Sequence, residues 1–314
     1  MLNRRILRVK VMQALYAFFQ SPERNLENAE KSLWLSIDRV YELYLYFLQL
    51  PLELARIAEI QMEEAKNKAL PTEEDLHPSR KFIDSYIIKF LENYQPLQDQ
   101  LEKYKISWND QEEYLRKLWK KIKSSDLYRN FLDEEDHAAS ERRFMEQLYK
   151  KFILDDEYIY TVFQEKSIFW DFEDADYAIN MAMRYVGKIK SLDRFKPLPQ
   201  KFKEEEEDGN FVRNLFLKTI WRDEELSETI DEKIKNWDMD RIAILDVLFM
   251  KMAMIEFLEF SSIPVKVTIN EYIELSKFFS TPKSKMFING VLDKILIELK
   301  AEKKIKKTGR GLLQ

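Results

Sequence analysis

A chain of 314 residues with 45% apolar and 34% charged positions is long enough to bury a sizeable core and too apolar to be disordered throughout. Only 5 glycines and 9 prolines exclude a turn-rich β architecture, and the absence of cysteine excludes disulfides, thiolate zinc sites and cysteine nucleophiles together. The net charge of −5 argues against a generic nucleic-acid binder, yet it is unevenly spread: residues 1–20 carry Arg4, Arg5, Arg8 and Lys10 with no acid, and residues 300–310 are again basic.

In chain order, residues 3–19 are predicted as a helix with Leu7, Val11, Ala14, Leu15 and Phe18 on one stripe, ended by Ser21-Pro22. A second helical region over 28–67 should break or kink at Pro51. The stretch Leu43 to Leu54, interrupted by Gln49, Pro51 and Glu53, is far too short to span a bilayer; with no signal-peptide pattern in view, a soluble, cytoplasmic protein away from membranes is expected. A polar loop at 69–80 precedes helical segments at about 81–103, 110–123 and 137–153. Residues 194–210, with two prolines, a glycine and the run Glu204 to Asp208, read as a linker or exposed loop and as the best domain boundary.

At an offset of 67 residues Phe144 falls on Phe211, Leu148 on Leu215, Lys151 on Lys218 and Trp170-Asp171 on Trp237-Asp238. Either the middle of the chain holds a degenerate copy of the C-terminal helical unit, or two amphipathic helix pairs share a composition. Beyond it, Arg241 to Phe257 forms an apolar helix, with Leu245 and Phe249 toward a core and Asp246 at the stripe's edge. Thr268-Ile269-Asn270-Glu271 has the form of a capping box, and a further helix should start near Pro282 and run to Lys300. Gly290 inside it suggests either a close approach by another backbone or a ligand, or a tolerated imperfection in the helix. The fold class expected is all-α.

Catalytic parts are missing. His77 and His137 have no metal or catalytic spacing, and no Gly-rich phosphate loop, HExxH or GxSxG occurs, so neither an enzyme nor a cofactor is expected. The basic start admits two readings. On a helix Arg4, Arg5 and Arg8 cluster beside the apolar stripe, with Tyr16 further along that flank, which suits phosphates and unpaired bases; a solvated helix start fits the same residues.

Arg4-Arg5…Arg8…Gln13-Ala14-Leu15-Tyr16 resembles the RRxxR…QALY opening of the NusB family, and Ile263 to Ile295 is similar to its C-terminal signature, PxKVxINExIELAK followed by FVNGVLDK. Arg241 to Asp246, ahead of Ala253 and Glu256, resembles the helix before that signature. The C-terminal resemblance covers about 90 residues and the N-terminal one about 20. It implies NusB-like helical bundles with an additional helical insertion: residues 1–40 hold the basic helix and the start of the bundle, 41–200 the insertion, and 201–314 the C-terminal helical domain. It also implies an RNA-binding transcription antitermination factor for ribosomal RNA synthesis and biogenesis. Its partners would be a boxA-like leader RNA, the small-subunit ribosomal protein NusE and the transcription elongation complex.

By position, RNA contact carries over to Arg4, Arg5, Arg8, Phe287 and Asn289, and the NusE-facing surface to Tyr16 and Asp246. The chain departs from the family at Val9, where a Glu is usual, and at Lys10 and Lys283, which add charge favourable to phosphates. A helical protein–protein adaptor without RNA binding is the alternative. An RNA-modifying enzyme would need a dinucleotide-type glycine motif that the sequence lacks.

Overall fold

The computed structural model describes residues 1–135, 138–190, 195–235 and 242–312. His137, Arg241, the pair Trp237-Asp238 and position 194, where the predicted linker begins, lie outside the described residues. Every regular element among the described residues is helical, with no strand. The chain divides into two compact units, Leu2–Ile37 with Lys201–Gln314, and Asp38–Gln200 together with Met1.

The first of these contains α1 (Arg4–Gln20), the beginning of α2 (Leu26–Lys66), α11 (Glu205–Trp221), α12 (Asp223–Ile234), α13 (Ile244–Glu259), α14 (Val265–Phe279) and α15 (Ser284–Ala301). Helix α13 is its centre, packed by α1, α11, α12, α14 and α15. Its sequence, ILDVLFMKMAMIEFLE, has no continuous polar face, as a helix surrounded by others requires, and from Leu248 to Phe257 every side chain is buried. Helix α1 is capped by Asn3, whose side chain accepts the Ile6 amide at 3.0 Å, and it buries Leu7, Val11, Leu15 and Phe18.

Two expectations change here. The acidic run is not a loop: residues 195–204 are non-helical, but Glu205 to Asp208 form the first turn of α11, where carboxylates meet the positive end of the helix dipole. Asp208 also accepts the amides of Lys203 and Glu204 at 3.1 and 3.3 Å, closing the helix start. The capping box at Thr268 is likewise replaced. Pro264 caps α14 four residues earlier than that box requires, leaving Thr268 and Glu271 inside the helix with long-range partners instead.

The second unit contains the rest of α2, α3 (Glu73–Leu76), α4 (Tyr86–Asn93), α5 (Gln95–Lys103), α6 (Glu112–Lys123), α7 (Asp126–Asp133), α8 (Ala138–Phe152), α9 (Glu157–Lys166) and α10 (Phe172–Val186). Its centre is aromatic: Phe163 lies 5.2 Å from Phe47, 5.5 Å from Trp108 and 5.4 Å from Trp170, ring centre to ring centre. The predicted segment 81–103 is two helices, divided at Tyr94 because Pro96 favours a fresh start. At the offset of 67 residues, the bounds of α8 and α9 fall on those of α11 and α12 to within two residues.

Helix α2 passes through Pro51 without interruption, contrary to the expected break. A proline removes the hydrogen bond to the carbonyl four residues back, here Phe47. That carbonyl accepts the buried Tyr149 hydroxyl at 2.6 Å, and the adjacent Tyr46 carbonyl accepts Trp108 Nε1 at 3.2 Å. Tyr149→Phe keeps the ring and strands the Phe47 carbonyl, so we expect a loss of about 1–3 kcal/mol by urea denaturation. A change within the range of surface substitutions, roughly ±0.5 kcal/mol, would show that the carbonyl finds another donor.

Candidate nucleic-acid interface

Three guanidiniums leave the start of α1, and each meets a carboxylate from a distant part of the sequence. Arg4 pairs with Glu207 and, at 3.4 Å, with Asp208 in the first turn of α11. Arg5 forks onto Glu271 of α14 at 2.8 and 3.0 Å. Arg8 forks onto Glu256 of α13, Nε to Oε1 at 2.6 Å and Nη2 to Oε2 at 2.8 Å.

The third pair differs in kind from the other two. Arg8 is 3% and Glu256 0% exposed, whereas Arg5 keeps 47% of its side chain in solvent. Glu256 also accepts Thr268 Oγ1 at 3.1 Å and the Tyr272 hydroxyl at 2.7 Å, so four donors converge on one carboxylate. The rings of Phe211 and Tyr272 lie 5.3 and 5.9 Å from the Arg8 guanidinium carbon. Burial opposes the charge on Arg8, but the Glu256 carboxylate outweighs it and holds the guanidinium charged, with its pKa raised. Burial pushes the Tyr272 hydroxyl well above its ordinary value, and the Glu256 charge adds to that. At Glu271 burial acts to raise the pKa, yet Arg5 and Arg8 together hold it below the usual carboxylate value.

This corrects the reading of Arg8 as a phosphate contact. Its guanidinium is consumed inside the unit, because neutralising Glu256 there is worth more than exposure. Lys10 is corrected on its burial: it is 1% exposed, and its ammonium donates to Gln13 Oε1 at 3.1 Å.

What the arginines do share is a groove of about 540 Å³, lined by Asn3, Arg4, Arg5 and Arg8 of the first helix, by Ser262 to Pro264, by Val267 and Glu271 of α14, and by Arg310. A lining that combines cationic side chains with the apolar Ile263, Pro264 and Val267 suits a sugar–phosphate backbone with unstacked bases. Lys10, Lys283, Phe287 and Asn289 are not among the lining residues. Lys283 is exposed at the start of α15, Phe287 is buried, and the Asn289 amide donates to Asp293 at 3.1 Å. No described atom comes within 4 Å of the position a Cβ would take at Gly290, so the close backbone approach expected there is absent among the described residues.

Tyr16 is 41% exposed and lines a second groove of about 410 Å³ with Phe19, Ile244, Val247, Leu248 and Lys251. Asp246, expected to face a partner from the edge of a stripe, is instead 4% exposed and accepts Ser280 Oγ at 2.5 Å and Ser284 Oγ at 2.7 Å. This carboxylate is used internally, tying the turn between α14 and α15 to the first turn of α13.

Sequence reasoning missed the importance of Glu256, Lys307 and Arg310. Lys307 donates to the carbonyls of Glu256 and Phe260 at 3.0 and 2.9 Å, at the C-terminal end of α13, and burial lowers its pKa to about 8. Among the described residues no group of three or more His, Asp or Glu side chains is placed to hold a metal ion, and no helix is long and apolar enough to cross a membrane.

The family model described as the NusB family matches residues 187–296. The transcription antitermination protein NusB of Salinibacter ruber is 42% identical over 104 residues, 33% of this chain and 65% of its own length. The protein of the same name from Chloroherpeton thalassium is 36% identical over 104 residues, covering 33% of this chain and 49% of its own. That from Koribacter versatilis is 41% identical over 102 residues, covering 32% and 70%. The match thus spans just under two thirds of the first relative and about half of the second. No solved structure matches. Helix α1 lies outside the segment that the family model covers.

Proposed function

This chain belongs to the NusB family, and we propose that it is a non-catalytic, RNA-binding transcription antitermination factor acting in ribosomal RNA synthesis. In this reading a single-stranded boxA-like leader RNA runs along the groove beside α1, and the ribosomal protein NusE docks on the groove around Tyr16. The observation that carries the reading is the convergence of Arg4, Arg5 and Arg310 on one apolar-walled groove in a protein whose overall charge is −5. Arg5 is its leading contact on α1, since a half-exposed guanidinium shared with one carboxylate can still meet a phosphate. Lys283 and Asn289, at the start of α15, would extend the contact, and Asp38–Gln200 would be an insertion within the family's bundle, derived in part from its own helix pair.

One observation favours the second reading, a helical adaptor that no longer binds RNA: all three arginines of α1 have carboxylate partners within the chain. Fluorescence anisotropy of a labelled boxA-like RNA against the full chain, with and without NusE, separates the two. The first reading expects binding that falls with salt and tightens when NusE is present. Salt-independent or absent RNA binding alongside retained NusE binding supports the adaptor.

A further inference from the structure

We propose that Arg310, on the segment that follows α15, is the principal phosphate-contacting residue of this groove, and that the docking of that segment completes the site. The inference rests on the RNA reading above and names a residue that the basic start of the chain does not.

The segment is built to return. Helix α15 is capped at Glu302, Lys303 takes a left-handed conformation at φ 55°, and the Lys304 amide donates back to the Leu299 carbonyl at 3.0 Å. The chain then runs to the C-terminal end of α13. There Lys307 donates to the two carbonyls already described, and the Thr308 amide donates to the Ser261 carbonyl at 3.0 Å. Gly309 turns with φ 52°, and the Gly311 amide closes onto the Thr308 carbonyl at 2.9 Å. Gly311 is buried so closely that a Cβ would stand 1.9 Å from the Ser261 carbonyl oxygen. Two hydrogen-bonded anchors and a steric lock therefore hold Arg310 between them, and its exposed side chain lines the groove.

Charge decides which cation matters most. Arg4, Arg5 and Arg8 are each compensated by Glu207 and Asp208, Glu271 and Glu256 respectively. A phosphate approaching any of them must compete with a carboxylate already in place. Among the described residues Arg310 has no carboxylate within ion-pair distance. It adds only the smallest of the influences that lower the pKa of Glu207, of which Arg4's is the largest. An uncompensated, exposed guanidinium beside an apolar wall gains the full counterion-release benefit of meeting a phosphate.

The test is fluorescence anisotropy of a labelled single-stranded RNA oligomer against the full chain over a salt series. Arg310→Ala should weaken binding severalfold and make the log–log salt slope shallower by about 0.7, the value for one phosphate contact on a single strand. Gly311→Val retains every charge but cannot seat against Ser261, and should weaken binding to a similar degree with an unchanged circular dichroism spectrum. Arg310 is exposed, so its replacement carries no folding risk and stands as evidence even if Gly311→Val perturbs the fold. If Arg310→Ala matches the unaltered chain in affinity and slope while Arg5→Ala does not, the inference is overturned and the RNA reading survives. If the unaltered chain binds no RNA, both fall.

Discussion

Glu256→Ala should destabilise the unit formed by Leu2–Ile37 and Lys201–Gln314 by about 3–5 kcal/mol, the ordinary cost of removing one partner from a buried ion pair. The deletion leaves the Arg8 guanidinium, 3% exposed, with only Glu271 at 3.5 Å, and it strands the Thr268 and Tyr272 hydroxyls. Each loss alone is modest, but in a site closed to water the orphaned charge dominates. The double replacement Arg8→Met with Glu256→Leu removes both charges and should recover most of the loss, since well-packed apolar substitutes for buried pairs are often neutral. Urea denaturation of the two variants measures the difference. A single-variant cost near that of surface substitutions, roughly 0.5 kcal/mol, would mean that water reaches Arg8 and the hub is not closed.

Asp246→Lys should be of the same order, about 3–5 kcal/mol. It places an ammonium at a position 4% exposed, facing the hydroxyls of Ser280 and Ser284 that now donate to the carboxylate. It also reverses the charge in the first turn of α13, where the helix dipole favours an anion. Asp246→Asn keeps an acceptor and should cost much less. A Lys variant that melts like the parent but loses affinity for NusE would return Asp246 to the partner surface where the sequence had placed it.

The difference between these sites and their sequence-based reading has a physical source. Helices were legible because capping, apolar period and the scarcity of glycine act locally; α1, α6 and α8 lie where their patterns put them, to within about two residues. Pairing is not local. Arg8 meets a carboxylate 248 positions away and Arg5 one 266 away, so an acid-free stretch of sequence became a compensated surface in the fold. Asp246 was misjudged because a stripe-and-edge argument presumes an exposed flank, whereas the side chain at that position is buried against Ser280 and Ser284. The near-continuous apolar text of α13 was the available signal, since an acid inside such a helix has to be paired. At Pro51 the expected break does not occur, and the Phe47 carbonyl that the proline frees is taken by Tyr149, far along the chain.

The groove beside α1 is the centre of the functional account, and its most direct test is the salt dependence of RNA binding by the full chain. A labelled single-stranded boxA-like RNA titrated at increasing salt should give a log–log line of negative slope, shallower by about 0.7 for Arg310→Ala and by less for Arg5→Ala, whose guanidinium is shared with Glu271. Lys10→Ala should leave the slope unchanged, because Lys10 is buried outside the groove. Binding of equal strength and slope in the parent, Arg5→Ala and Arg310→Ala chains would contradict the account.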